Sequence, residues 1–242
     1  AYTVAAPSTA VTTLGFLSGD RSLVVMTADG AVSTWGLVRR ADAPSGWTLL
    51  QIHTLRAHNA PVTAFAPSQR VKGFVTGDMK GNLFLHHATS SQTLLRLANS
   101  EFPIRAVAFA PKGDGLIALD GAGQLSLYQV QNAYPEVTLE TLFAKVWYVG
   151  YDQPAHVWQS SSGSDDVEPK LGLLPLAFGT LKGTMYALFL AVPIAILAAM
   201  CTSQFMHQDL RAKIKPIIEV MAALPTVVLG FLAGLWLAPL LE

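Results

Sequence analysis

With 242 residues the chain has room for one or two domains, and its 16 basic and 16 acidic residues cancel, which argues against a nucleic-acid partner. Charged residues make up 13% of it, half the roughly 25% of a soluble domain. The shortfall is local: residues 171–242 carry only Lys182, Asp209, Arg211, Lys213, Lys215, Glu219 and Glu242 as charges.

Residues 1–141 repeat themselves. Val11–Trp35, Val62–His86 and Val107–Tyr128, with the third start placed at Arg105, share one pattern. An alternating strand leads to a polar turn and a second β-rich strand. A turn ending in Gly30, Gly81 or Gly123 then precedes a further alternating strand. Alternation with period two marks half-buried strands, and glycine supplies the positive φ of tight turns. The pattern, with Ala57-His58 ahead of Pro61-Val62 and Ala-Phe-Ala-Pro at 64–67 and 108–111, resembles WD40-type β-propeller blades. No Trp-Asp pair ends a blade, and the loop from Arg39 to Trp47 lengthens the first. Three blades are too few for a ring of about 4–8. No initiator Met or signal sequence opens the chain, so it reads as an internal fragment, with further blades and an earlier membrane helix expected upstream.

This part offers little chemistry. His53, His58, His86 and His87 are candidate metal ligands by type only. His86 and His87, adjacent on a strand, are expected to face opposite ways, and His58 takes the place of a structural blade histidine. Asp20, Asp29, Asp78, Asp114 and Asp120 sit beside turn glycines, where turn chemistry alone accounts for them. No nucleophile elbow, HExxH, CxxC or phosphate-cradling loop occurs, so ATP hydrolysis is expected in another polypeptide and no cofactor is expected in this chain. With Cys201 as the sole cysteine, an exported β part has to be stable by packing alone.

Residues 142–170 form a joint. Phe143–Tyr151 is aromatic and β-rich, and Trp147, Tyr148, Tyr151 and Trp158 are expected at a membrane interface. Gln159–Asp166 reads as a polar linker.

Residues 171–242 read as a transmembrane helical hairpin. No charge falls between Gly183 and Met206 or between Val220 and Leu241, and about 20 apolar residues suffice to cross a bilayer. Pro193 and Pro225 inside the runs, and small residues such as Gly230 and Gly234, suit a larger bundle or pore better than a plain anchor. The segment His207–Glu219 carries Arg211, Lys213 and Lys215, which as a short basic loop belong on the cytoplasmic side. Residues 1 to about 170, ending in the acidic flank Asp165, Asp166 and Glu168, then lie outside the cytoplasm.

Three motifs carry a second resemblance. Leu174-Pro175 with Gly179-Thr180, then Ala191-Val192-Pro193, then Glu219 ahead of Ala222-Ala223-Leu224-Pro225-Thr226-Val227-Val228 and Gly230, resemble the C-type permease subunit of phosphate ABC importers. The Trp158–Asp166 stretch resembles a variant of that family with a large extracytoplasmic propeller inserted after the first membrane helix. The resemblance implies a multidomain membrane protein in a bacterial inner membrane: an all-β partial propeller, then the start of an α-helical permease domain. It also implies a second permease subunit, cytoplasmic ATPase subunits and a periplasmic phosphate-binding protein as partners, besides membrane lipid. In this reading Glu219, Pro225 and Thr226 belong to the substrate path, while Arg211, Lys213 and Lys215 set the topology. Glu219 also has a simpler account, as a carboxylate favoured by the dipole at a helix N-terminus. The competing function is a membrane-tethered propeller serving as an interaction or sensing platform.

Overall fold

The computed structural model describes residues 9–41, 43, 46–131, 133–159 and 168–241. They fall into two compact units, one reaching to Gly179 and one running on from Thr180.

Three antiparallel sheets follow one another in the first unit. The first holds β1 (Val11–Phe16), β2 (Ser22–Thr27), β3 (Val32–Arg39) and β4 (Trp47–Leu55). The second holds β5 (Val62–Pro67), β6 (Gly73–Asp78), β7 (Asn82–His87) and β8 (Gln92–Ala98). The third holds β9 (Ile104–Phe109), β10 (Gly115–Asp120) and β11 (Leu125–Gln129). In each sheet the chain returns directly to its neighbour. Gly30, Gly81 and Gly123 have φ of 86°, 79° and 85° at equivalent turns, a region that other L residues enter at a cost. Among the described residues the sheets do not join into a closed ring.

The sheets stack through two apolar cores. The middle strand β6 is buried along its whole length, and its alternation serves both sides. Phe74 packs with Val24, Met26 and Val32 of the first sheet, whereas Val75 packs with Leu116 and Ala118 of the third. Side chains buried this completely contribute about 1.5–3 kcal/mol each. The opening strands lie side by side, β5 against both β1 and β9. Two glycines allow this approach: a Cβ on Gly15 would lie 2.1 Å from Phe65 Cε1, and one on Gly77 2.5 Å from Ile104 Cγ2. The Thr63 hydroxyl donates across the junction to the Ile104 carbonyl at 2.6 Å.

The register corrects one sequence expectation. Val11, Val62 and Ile104 pair with Thr27, Asp78 and Asp120, so the third repeat starts at Ile104, not Arg105. Each opening strand shifts register after its first residue, leaving Thr12, Thr63 and Arg105 unpaired. Arg105 is therefore the bulge residue. By the same register Ala64 and Ala106, facing Gly77 and Leu119, are equivalents, and the two Ala-Phe-Ala-Pro runs are not.

The joint folds back on the β unit. α1 (Leu139–Phe143) opens with a Thr138–Thr141 capping box, and β12 (Trp158–Gln159) pairs with β13 (Lys170–Leu171). Between them only the isolated bridge Val146–Ala155 is β-like among the described residues. Tyr148 is 1% exposed, which removes it from any membrane interface. Trp147 is half-buried, and its indole N–H donates to the Tyr151 carbonyl at 2.8 Å. Tyr151 is half-buried and stacks edge-on against Tyr148, while Trp158 stays exposed. His53 Nε2 donates to the Trp147 carbonyl, and Glu168 accepts from Thr89 and from the Val149 N–H. The joint's backbone is thus tied to the sheets at Trp147 through His53, and at Val149 through Glu168 and Thr89. The expected Ser/Gly linker at 160–166 and the acids Asp165 and Asp166 lie outside the described residues.

The second unit is helical. α2 (Leu174–Met200), which begins just before the unit, continues as a π-helical stretch, Cys201–Phe205. Together, Leu174–Phe205 make 32 residues with a mean hydropathy of 2.2 in the most apolar part, none of it buried. α3 (Gln208–Ala223) follows, then α4 (Thr226–Leu232), a second π-helical stretch (Ala233–Leu237) and α5 (Ala238–Leu241). Two expectations change here. The basic segment after Met206 is a helix rather than a loop, and the apolar run Val220–Leu241 is not one rod. It breaks at Leu224 and Pro225, where α3 and the helix beyond turn by 88°. Proline has no N–H for the helix ladder and pushes the residue before it into extended backbone. Leu224 accordingly has φ −68° and ψ 136°. Thr226–Leu240 would rise only about 22 Å as a helix, short of a hydrocarbon layer of about 30 Å. Among the described residues one helix is thus long and apolar enough to cross a membrane, or two if the bent pair counts as one span.

Candidate functional site

In the second unit α3 and the end of α2 enclose a cleft of about 490 Å3. Ala195, Ala198, Ala199 and Thr202 line the α2 side; Arg211, Ile214, Lys215, Ile218 and Glu219 line the α3 side. The spacing i, i+4, i+8 puts Arg211, Lys215 and Glu219 on one helical stripe. Lys215 Nζ stands 4.0 Å from Glu219 Oε1, and both side chains are mostly solvent-exposed, so the pair adds at most about 1 kcal/mol. Arg211 Nη1 donates to the Ser203 carbonyl at 3.4 Å, satisfying a helix-end acceptor. The Thr202 hydroxyl donates to the carbonyls of Ala198 and Ala199 within its own helix. The cleft therefore offers two cations beside one carboxylate against a wall of alanines.

The expected site residues separate into groups. Glu219, Arg211 and Lys215 come together in the cleft. Lys213 lies elsewhere on the helix, at the far shoulder of the apolar stripe. Pro225 is the N-cap residue of α4 and Thr226 its first residue, so both sit at the break instead of in the cleft. Pro193 lies inside α2, and Pro216 inside α3. Each leaves one backbone carbonyl of its helix without the usual donor. A Cβ on Gly183, Gly230 or Gly234 would meet nothing within 4 Å, so these small faces are open in this unit.

A second polar constellation escaped the sequence reading. In the middle sheet Asp78 Oδ2 faces His58 Nδ1 at 2.9 Å, and His58 Nε2 faces the Thr76 hydroxyl at 2.7 Å. Thr76 Oγ1 meets His86 Nε2 at 2.9 Å, and His86 Nδ1 meets the Thr93 hydroxyl at 2.9 Å. Asp78 also accepts from the backbone of Lys80 and Asn82. Burial would raise its carboxyl, but the Asn82 side-chain amide, the Asn82 backbone N–H and His58 outweigh that and hold it below the usual range. As a carboxylate it only accepts, so His58 Nδ1 donates to it; with both imidazoles neutral the proton order runs from Thr93 through His86, Thr76 and His58 to Asp78. Every ring nitrogen of His58 and His86 then has a partner. Burial pushes His86 down to about 3 and His87 to about 4. His58 is also lowered, by burial working against Asp78. The signal was present in the sequence: His58 and Asp78 stand 20 apart, as do Ser100 and Asp120, which are bonded at 2.6 Å. His58, Thr76, Asp78 and His86 are all buried, which fits a part in holding the fold.

The chain matches no protein-family profile. Over 74 residues it is 31% identical to the probable ABC transporter permease protein YqgH of Bacillus subtilis (strain 168). The match covers 31% of this chain and 24% of that protein, so the chain spans about a quarter of the relative's length. Among solved structures, the crystal structure of the computationally designed Ika8 protein aligns with a TM-score of 0.41 at 21% identity. It covers 50% of this chain and 33% of the other, and no argument rests on it. Over the matched part the chain is similar to an ABC transporter permease, and Leu174–Phe205 is long and apolar enough to cross a membrane.

Proposed function

We propose that this chain is part of a permease subunit of an ATP-driven importer of inorganic phosphate. Its helical unit contributes to the translocation path, and its three sheets are part of a WD40-like propeller on the outer side of a bacterial inner membrane. Residues 1–141 form the propeller part, 142–170 the joint and 171–242 the beginning of the permease domain. A second permease subunit, cytoplasmic ATPase subunits and a periplasmic phosphate-binding protein complete the transporter, and this chain performs no covalent chemistry.

The observation that carries the reading is the 88° break at Leu224–Pro225, which α3 separates from the 32-residue apolar helix. An anchor needs one straight span. A broken apolar run suits a place where it packs on other helices or lines a cavity. The open faces at Gly230 and Gly234 suit such packing, and the similarity to a permease points the same way. Glu219 and the residues of the break, Pro225 and Thr226, are placed along the path. Glu219 repels an anion unless a cation balances it, and Lys215 is the neighbour able to do so.

The test is uptake of labelled phosphate by membrane vesicles containing the whole transporter, with sulfate and arsenate as competitors. ATP-dependent uptake that Glu219→Gln or Pro225→Ala reduces supports the reading. Uptake unchanged in both variants contradicts it. The alternative, a membrane-tethered interaction platform, draws on the apolar edge strand β11, where Leu125 is 65% and Leu127 75% exposed. It requires uptake to be indifferent to every change in the helical unit.

A further inference from the structure

We propose that α3 lies flat in the membrane–water interface and docks onto anionic lipid headgroups. The inference rests on the membrane reading of Leu174–Phe205 and is independent of the transported substrate. α3 differs from α2 in kind. α2 is apolar all round, whereas α3 is amphipathic. At about 100° per residue, Leu210, Ile214, Ile217 and Met221 fall on one stripe with Ile218 beside it. Arg211 and Lys213 flank that stripe, each about 80° from its centre, one on either shoulder. Asp209 and Glu219 point further away from it, and Lys215 stands between Arg211 and Glu219.

Three observations select a lipid surface as the occupant. Leu210, Ile217, Ile218 and Met221 are 50% exposed or more, and only Ile214, which faces α2 in the cleft, is half-buried, so the chain leaves most of the stripe uncovered. The cations sit where an interfacial helix needs them. With the apolar stripe sunk in the acyl boundary, both long side chains reach up to phosphates, and the acids face water. The direction also fits: a helix at 88° to a segment entering the bilayer runs along its plane. Apolar segments at both ends of α3 hold it at that depth. A helix standing in the cytosol would leave the stripe in water, and one crossing the bilayer would drag Arg211, Lys213, Lys215, Asp209 and Glu219 into hydrocarbon.

The test uses the full chain in vesicles, with Cys201→Ser as background and one environment-sensitive fluorophore at a time on Leu190→Cys, Ile217→Cys or Glu219→Cys. Vesicles are phosphatidylcholine alone or with phosphatidylglycerol, carrying quenchers at shallow or deep acyl positions. The label at Leu190 is expected to be quenched from the deep position. In anionic vesicles the label at Ile217 responds to the shallow quencher, while that at Glu219 stays in water. Arg211→Gln with Lys213→Gln, or removal of the anionic lipid, is expected to shift the Ile217 label toward water. Ile217 quenched as deeply as Leu190, both α3 labels in water in anionic vesicles, or equal behaviour in neutral and anionic vesicles overturns the proposal. Failure at Leu190 overturns the membrane reading itself, so the two failures are told apart.

Discussion

His58 Nδ1 lies 2.9 Å from Asp78 Oδ2, with both side chains fully buried between β-sheets. This hydrogen bond continues through Thr76 to His86, and the chain of donors leaves no ring nitrogen of the two histidines unpartnered. The arrangement makes Thr76 the link on which two imidazoles depend.

Thr76→Val is therefore expected to destabilise the β unit. It removes the one hydroxyl shared by His58 Nε2 and His86 Nε2, at about 1–3 kcal/mol for each group left unpaired. Thr76→Ser, which keeps the hydroxyl, is expected to lose far less. Urea unfolding of the whole chain in detergent, followed by the β signal in circular dichroism, measures both. Equal midpoints for Val and Ser variants would deny the network its role.

The same histidines set a pH dependence. In the fold His86 and His87 are pushed from 6.5 to about 3 and about 4, so below pH 6.5 the folded chain binds fewer protons than the unfolded chain. Their contribution is complete above pH 6.5 and is lost as pH falls toward 4 and then 3. At pH 5 each costs about 2 kcal/mol, at about 1.4 kcal/mol per pH unit. The Tm of the β unit is expected to fall between pH 7 and 5, and His87→Asn to flatten that fall. A Tm flat over this range would show that neither imidazole is held neutral.

Much of this was legible in residues alone. The repeats at Gly30, Gly81 and Gly123 showed themselves because turn chemistry and alternation are local. The long apolar helix showed itself because its composition admits no other reading at that length. Bulges are not local: Arg105 looks like any strand residue until its partner skips it. His86 and His87 do sit next to each other on a strand, yet both are buried, because the middle sheet is covered on both faces. The aromatic joint misled for a related reason. Trp147 and Tyr148 carry the composition of an interface belt, and only the tertiary bonds of His53, Tyr151 and Leu171 show where they are held. Pro225 was visible inside the apolar run, but a break of 88° depends on the extended Leu224 before it.

Close approach of neighbouring sheets is expected to fail on adding one methyl at Gly77. The new Cβ would stand 2.5 Å from Ile104 Cγ2 and 2.7 Å from Ile104 Cβ. The branch point cannot swing away, so Gly77→Ala is expected to cost about 1–3 kcal/mol. Gly77→Ala combined with Ile104→Ala relieves the clash, and the two changes together should cost less than their sum. Strict additivity in denaturant midpoints would contradict this packing.

Pro225→Ala restores a backbone N–H at the break and frees Leu224 to become helical. α3 and α4 are expected to merge. Spin labels on Lys213→Cys and Trp236→Cys, in the Cys201→Ser background, should then move apart as phosphate uptake drops. An unchanged separation would mean that Pro225 does not hold the bend.

Membrane sidedness tests the account most directly. Single cysteines at Lys112→Cys in the β unit and Lys213→Cys in α3, again with Cys201→Ser, are challenged with an impermeant maleimide in intact spheroplasts and after permeabilisation. The account predicts that position 112 reacts from outside at once, and that position 213 reacts only once the membrane is opened. Reaction at 213 from outside, or recovery of the intact chain as a soluble monomer without detergent, would contradict it.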